Sequence, residues 1–312
     1  MKHIVGCSLS LLAQWVLHSQ TAVKNPESGW IFDKESSSIR AIRGTPGAAT
    51  LGLPVSNDVE LAYPSRDGNR GIVVRKRAVG WTHLQEESFT ALPVGTADLG
   101  LVSWSRHEAT AAVHNLQSHM VLLVSDVSDG LKVRTLALPE GTVVAIGGPV
   151  GDGVFVAIRG GSLPGLYRLN DGATPQLLIA HDNLAAIAVT AEDDAVFALS
   201  QDGRRLWIVE ELAGTSAVQS LTVDVPPAVV GLGVSANRGS LYVAHADSRS
   251  LSVVSPADGS LIGTLPLDVP VSGMVPLGHD SNYILTTPGG DAAPHWLLQT
   301  SSSSIFFVPA AR

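Results

Sequence analysis

The residues best placed to do chemistry are cations. Arg77, His119, Arg159, Arg204 and Arg249 recur at separations of 42, 40, 45 and 45 residues, each in a polar stretch between two apolar runs. Cations brought round from equivalent positions would form a basic ring, able to hold a carboxylate, a phosphate or an acidic glycan through charge-assisted hydrogen bonds. Arg and Lys are common in exposed turns, so the spacing carries this expectation, not the residue type. A second group, His107, His114 and His119, could suggest a metal site. Ligands on strands must share a face, by even spacing in one strand or by pairing across two. Here one histidine falls in a turn, one ends a strand and one precedes the next, so no metal site is expected. The chain has no nucleophile elbow, His-Glu-x-x-His helix or EF-hand loop. No catalytic residue and no cofactor are expected.

Gly231-Leu232-Gly233-Val234-Ser235-Ala236 fits the dinucleotide-binding pattern. That chemistry needs a helix to begin there, so that its amides can hold a pyrophosphate. Asn237-Arg238-Gly239 makes a turn into a strand instead. The glycines are better explained as letting inner strands crowd around an axis. Trp30, Trp81, Trp207 and Trp296 fall near the third strand of successive units, where large flat side chains wedge between neighbouring sheets.

A repeat must position these residues. Asp67, His107, Asp152, Asp193, Asn237 and Asp280 mark tight turns 40, 45, 41, 44 and 43 residues apart. Each turn follows a short apolar strand (residues 99–103 and 185–189, for example) and precedes a second, such as residues 154–158. A third strand and then a fourth complete each unit, as in residues 120–124 and 131–136. Four short strands every 40–45 residues are the signature of a propeller blade. No 12-residue segment has helical periodicity, and a β-sandwich predicts no such period. About six complete units span residues 57–312, preceded by a pair, residues 30–33 and 39–42, that reads as strands three and four. The expected fold is all-β: a propeller of about seven four-stranded blades, the N-terminal pair contributing to ring closure. Six blades is the alternative.

Of the 312 residues 45% are hydrophobic and 15% charged, which is ample for a core. A net charge of −8 argues against a general nucleic-acid partner. No stretch holds the roughly 20 apolar residues that a membrane-spanning helix needs. Lys2 and His3, an apolar run over residues 4–17 and a short polar stretch ending at Ala22 follow the plan of a secretory signal peptide. The expected organisation is an export segment over residues 1–22, a polar lead-in over 23–28 and one propeller domain over 29–312. The expected address is secreted, periplasmic or cell-surface. The one cysteine, Cys7, lies inside the export segment, so a cleaved chain would have no thiol chemistry.

The clearest unit spans residues 240–267: Leu241-Tyr242-Val243-Ala244-His245, Leu251-Ser252-Val253-Val254, Asp258-Gly259 and Leu261-Ile262-Gly263-Thr264-Leu265. This unit resembles the YVTN family of β-propeller repeats, with Ala244-His245 where that family has Thr-Asn. Ser200-Gln201-Asp202-Gly203 with Trp207 resembles the sialidase Asp-box hairpin, but its glycine directly follows the aspartate and there is no second copy. It reads as an ordinary Asp-Gly turn. The YVTN resemblance implies a propeller, commonly bacterial and exported or surface-located, and no single activity. The expected function is a binding or scaffolding module whose loop-lined face takes a protein, a glycan or a small anion. A lactonase-like hydrolase is the alternative and would need carboxylate, Asn or His groups converging on the channel. The inner strands are almost wholly Gly, Ala, Val, Ser and Leu, with Glu60 the exception. A surface structural protein without a ligand is the third reading.

Overall fold

The computed structural model describes residues 27–309 apart from 46, 87, 106–108, 129, 152, 191, 193, 213–214, 247, 279–281 and 289–294. The expected export segment, Cys7 and four of the turn markers (His107, Asp152, Asp193 and Asp280) lie outside the described residues.

The chain forms a seven-bladed β-propeller. Blade 1 holds β1 (Glu27–Asp33), β2 (Ser38–Arg43) and β3 (Thr50–Ser56). Blade 2 holds β4 (Leu61–Pro64), β5 (Arg70–Arg75), β6 (Ala78–His83) and β7 (Thr90–Gly95); blade 3 holds β8 (Leu99–Trp104), β9 (Thr110–Asn115), β10 (Met120–Val127) and β11 (Gly130–Ala137). Blade 4 comprises β12 (Thr142–Val150), β13 (Gly153–Arg159), β14 (Gly165–Asn170) and β15 (Gln176–Ala180). Blade 5 comprises β16 (Leu184–Val189), β17 (Ala195–Ser200), β18 (Arg205–Leu212) and β19 (Thr215–Thr222). Blade 6 runs through β20 (Val229–Val234), β21 (Leu241–His245), β22 (Ser250–Val254) and β23 (Leu261–Pro266), and blade 7 through β24 (Gly273–Leu277), β25 (Asn282–Thr286), β26 (His295–Gln299) and β27 (Ser304–Val308). All pairings are antiparallel between successive strands.

Burial explains the stacking. Every residue of β9, β17 and β21 is buried, the pattern of a strand covered on both faces. The outermost strands β11 and β23 are largely exposed. Each sheet is therefore apolar on two sides and can hide them only against its neighbours. Seven separate apolar clusters result, one in each seam between adjacent blades. In blades 3 to 6 the register between the first and second strands shifts near the start of the inner strand, for example between Leu184 and Ala186. Such bulges bend a strand locally.

Blade 1 departs from expectation. Residues 30–33 and 39–42 belong to the first and second strands of their own sheet, not the third and fourth, and among the described residues that sheet has three strands rather than four. The third, β3, carries Gly52 and Pro54 in place of a clean apolar alternation, which hid it in the sequence. β1 also begins two residues inside the stretch read as a lead-in. Among the described residues the two ends of the chain do not share a sheet. Among them the ring closes by packing of Ile31, Ile42 and Ala49 of blade 1 against Leu277, Leu297 and Val308 of blade 7. The open edge at β3 is blunted by a register shift opposite Arg40 and Ile42. Pro54 has no N–H to offer, and Arg40 Nη1 donates to the Gly52 carbonyl at 3.2 Å.

At the closing seam a Cβ on Gly29 would lie 2.3 Å from Leu277 Cγ, whereas one on Gly263 would meet nothing within 4 Å. Gly29→Ala should therefore lower stability by about 1–3 kcal/mol, while Gly263→Ala changes it little. Denaturant melts of the two variants against the parent check this.

Candidate functional site

Each inner strand pairs on one side only, so seven strand edges line a central channel. The channel holds a cavity of about 490 Å³. Its walls are mostly Val, Leu, Ile, Ala and Gly; Arg66, His295, Tyr63 and Tyr283 are the ionisable residues among the described ones, and none carries a carboxylate. Glu60, expected within an inner strand, lies instead exposed in the link before β4, where it accepts the Arg77 backbone N–H at 3.0 Å. The glycines of the dinucleotide-like motif serve packing. A Cβ on Gly231 would lie 2.9 Å from the Met274 backbone nitrogen, and one on Gly233 2.9 Å from Met274 Cε.

The turns between second and third strands share one face with the links between blades. Arg77, His119, Arg159, Arg204 and Arg249 all lie at such turns, on blades 2 to 6, spread around the face rather than converging on a point. Most are tied to a neighbouring link or strand. His119 Nε2 donates to the Pro139 carbonyl at 2.8 Å, and Arg159 Nη2 to the Leu184 carbonyl at 2.8 Å. Arg204 Nη1 pairs with Asp224 at 2.6 Å, and the Arg249 carbonyl accepts from the Leu267 N–H at 2.7 Å. The links also carry Asp58, Asp98, Glu140, Asp182 and Asp268. Sequence reasoning missed this acidic complement, which was visible as one or two carboxylates in every link. The face is mixed in sign.

The opposite face holds the turns between first and second strands. Ser65, Ser105, Thr190 and Ser235 open four of these, each donating its backbone N–H to the carbonyl five residues on, at 2.8–3.0 Å. In three of them the hydroxyl also accepts the N–H of that fifth residue. This recurring hydroxyl was a readable repeat marker that the Asx positions obscured. Ion pairs cross the seams on this side. Arg70 Nε meets Asp126 at 2.8 Å with His83 Nε2 3.4 Å from the same oxygen, and Arg238 bridges Asp194 and Glu192.

The histidines are dispersed. His114 is buried in β9, and burial, aided by the neighbouring His119, holds its imidazole below the usual value. His245 is buried as well and reaches Ser252 Oγ at 3.0 Å; desolvation again depresses its pKa. Among the described residues no three His, Cys, Asp or Glu side chains group as a metal site would require. Trp81 and Trp207 sit in third strands within the seam clusters, and Trp296 packs partly buried against one. Trp30 is the exception: it lies on the inner strand of blade 1 and lines the channel. Ser200 Oγ donates to Asp202 at 2.5 Å and the Gly203 N–H returns to the Ser200 carbonyl at 3.1 Å, an ordinary tight turn.

No family model matches the chain, and no curated protein does. Solved structures do. A protein from Lactobacillus plantarum superposes with a TM-score of 0.62 at 14% identity, over 91% of this chain and 96% of that one. Kluyveromyces lactis Hsv2 gives 0.58 at 11%, over 92% and 98%. A Bacteroides uniformis protein assigned provisionally as a 6-phosphogluconolactonase gives 0.58 at 11%, over 90% and 94%. Likeness at this identity establishes the fold: a seven-bladed β-propeller protein. No helix among the described residues is long and apolar enough to cross a membrane.

Burial opposes the charge on Asp194, but hydrogen bonds from Arg238 and Thr190 outweigh it and hold its pKa below the ordinary value of 3.8. A carboxylate of depressed pKa stabilises the fold above its unfolded pKa and loses that contribution as pH falls through the folded one. The pair is partly exposed, so Arg238→Ala should cost about 0.2–1 kcal/mol at neutral pH. The gap from the parent should narrow as pH falls below about 4. Thermal melts from pH 7 to pH 3 measure it.

Proposed function

We propose that this chain is an exported binding or scaffolding module of the YVTN-repeat type. It presents the face of links and second-to-third-strand turns to a partner. The observation that carries this reading is the composition of the channel walls. A hydrolase of the lactonase kind needs an acid–base pair within reach of the scissile bond, and the described lining residues supply no carboxylate. The rim, by contrast, sets Arg or His in the turns beside Asp or Glu in the links around five blades, with Arg77, Arg204 and Arg249 exposed. Of a protein, a glycan and a small anion, interspersed charges of both signs suit a protein partner best, because charge complementarity then fixes orientation as well as attraction. Export is supported by the basic start, apolar run and small residue at Ala22.

Two measurements test this. N-terminal sequencing of the protein from its own cells should find a chain beginning at Val23 outside the cytoplasm; an uncleaved cytoplasmic chain would refute export. A photo-crosslinker at Arg249 should capture a discrete partner, and one at Val133 on the outer edge of blade 3 should not. Rapid opening of a simple lactone by the purified protein, lost on mutating a channel residue, would instead establish the hydrolase.

A further inference from the structure

Blade 1 runs in reverse. In blades 2 to 7 the first strand starts at a link and ends at the turn on the opposite face. The start of β1 is at that opposite face: Gly29 packs against Leu277 and Gly278, where β24 ends, and Trp30 lies over Gly68 in the turn after β4. Its far end reaches the link face, where the Val59 N–H, in the link into blade 2, donates to the carbonyl of Ser37 in the β1–β2 turn at 3.1 Å. β1 is therefore antiparallel to its neighbours β4 and β24. In direction, β1, β2 and β3 match the second, third and fourth strands of the other blades. No described strand pairs with β1 on its channel side, where a first strand would run. The three strands stand one place nearer the axis than their directions imply, with Ile31 in one seam with Leu277 and Phe32 in the other with Ala62. A further strand would lie in the channel itself.

The channel beside β1 is suited to one. Unpaired N–H and C=O groups along a strand edge are a template for another strand. Among the described residues of the inner strands, Leu101, Thr142, Val275 and Pro276 are exposed. Two of these four, Val275 and Pro276, belong to β24, next to β1. Val275 is 49% and Leu101 40% exposed, and both line the cavity of about 490 Å³. Large apolar side chains left uncovered together mark a surface that a partner covers. The described walls carry no carboxylate, and Arg66 already has a partner, so a charge on the occupant would stay unpaired.

We propose that the channel-side edge of β1 takes an extended, uncharged strand of a protein partner, antiparallel to β1, which completes blade 1 as a four-stranded sheet. Main-chain hydrogen bonds along β1 would supply affinity, and short apolar side chains would cover Val275, Pro276 and Leu101. Like the other six inner strands, the added strand would run from the link face to the opposite face. Its N-terminal end would then sit at the link face, where the rest of the partner docks. The chain's own N-terminus does not fill this place after export, because cleavage after Ala22 leaves residues 23–26 ahead of Glu27. That stretch is too short to turn and run alongside β1.

The inference rests on the binding-module reading for its partner, and one experiment separates the two. A photo-crosslinker at Val275, carried by the full chain in its own cells, should attach to the same protein that the Arg249 probe captures. Mass spectrometry of the joined peptide should find a stretch of about five or more residues without charge. Leu101 is the second position if the Val275 variant fails to fold. In the complex the β1 amides should exchange at least about tenfold more slowly than in the free protein. Val275→Asp should weaken the complex about tenfold or more, and Val133→Asp should leave it unchanged. The strand is overturned if the Val275 probe captures nothing while the Arg249 probe succeeds, or if the captured stretch is charged. It is also overturned if that probe attaches to residues 1–22 of an uncleaved chain or to a second copy. Capture at Val275 alone would overturn the rim instead, and capture at neither position overturns both.

Discussion

Packing between the side faces of neighbouring blades is the interaction on which everything else depends. A lone four-stranded sheet of this composition leaves two apolar faces in water, and only a blade on each side removes them. The seams are unequal. Between blades 5 and 6 fourteen residues are buried together, and between blades 2 and 3 eleven. The two seams flanking blade 1 hold six and five among the described residues. Among the described residues that blade has three strands, so their packing is thinnest where the two ends of the ring meet.

Ring geometry then dictates what the chain can present. Inner strands crowd the axis, which calls for glycine and alanine where backbones approach closely, as at Gly147 and Gly231. Such strands have few positions for reactive side chains. Chemistry is displaced to the turns, where one face gathers cations and carboxylates in alternation and the other gathers the hydroxyl-led turns. Among the described lining residues the larger polar and aromatic side chains come from blades 1, 2, 3 and 7, with Trp30, Tyr63, Arg66, Trp104, Tyr283 and His295.

Much of this was legible in the residues. The period of 40–45, the four short strands per unit and the role of the glycines all follow from local patterns that the units repeat, and the fold was readable for that reason. Blade 1 was misread because Gly52 and Pro54 erase the alternation in β3, and without that strand residues 30–42 resemble the outer half of a blade. The positions of Arg77 to Arg249 on one face followed from turn order alone. Their partners did not, since Arg204 with Asp224 and Arg159 with the Leu184 carbonyl join segments 20 and 25 residues apart. That Trp30, Tyr63 and Trp104 line one cavity was not legible for a related reason: they come together only when three blades are set side by side.

Hydrogen–deuterium exchange of the native protein, resolved by strand, tests the account most directly, because it reads the strength of each seam separately. A ring closed by side-to-side packing with thin seams at blade 1 should open there first, with β1 and β2 exchanging well before β17 and β21. Equal protection around the ring, or earliest exchange in blades 5 and 6, would contradict it.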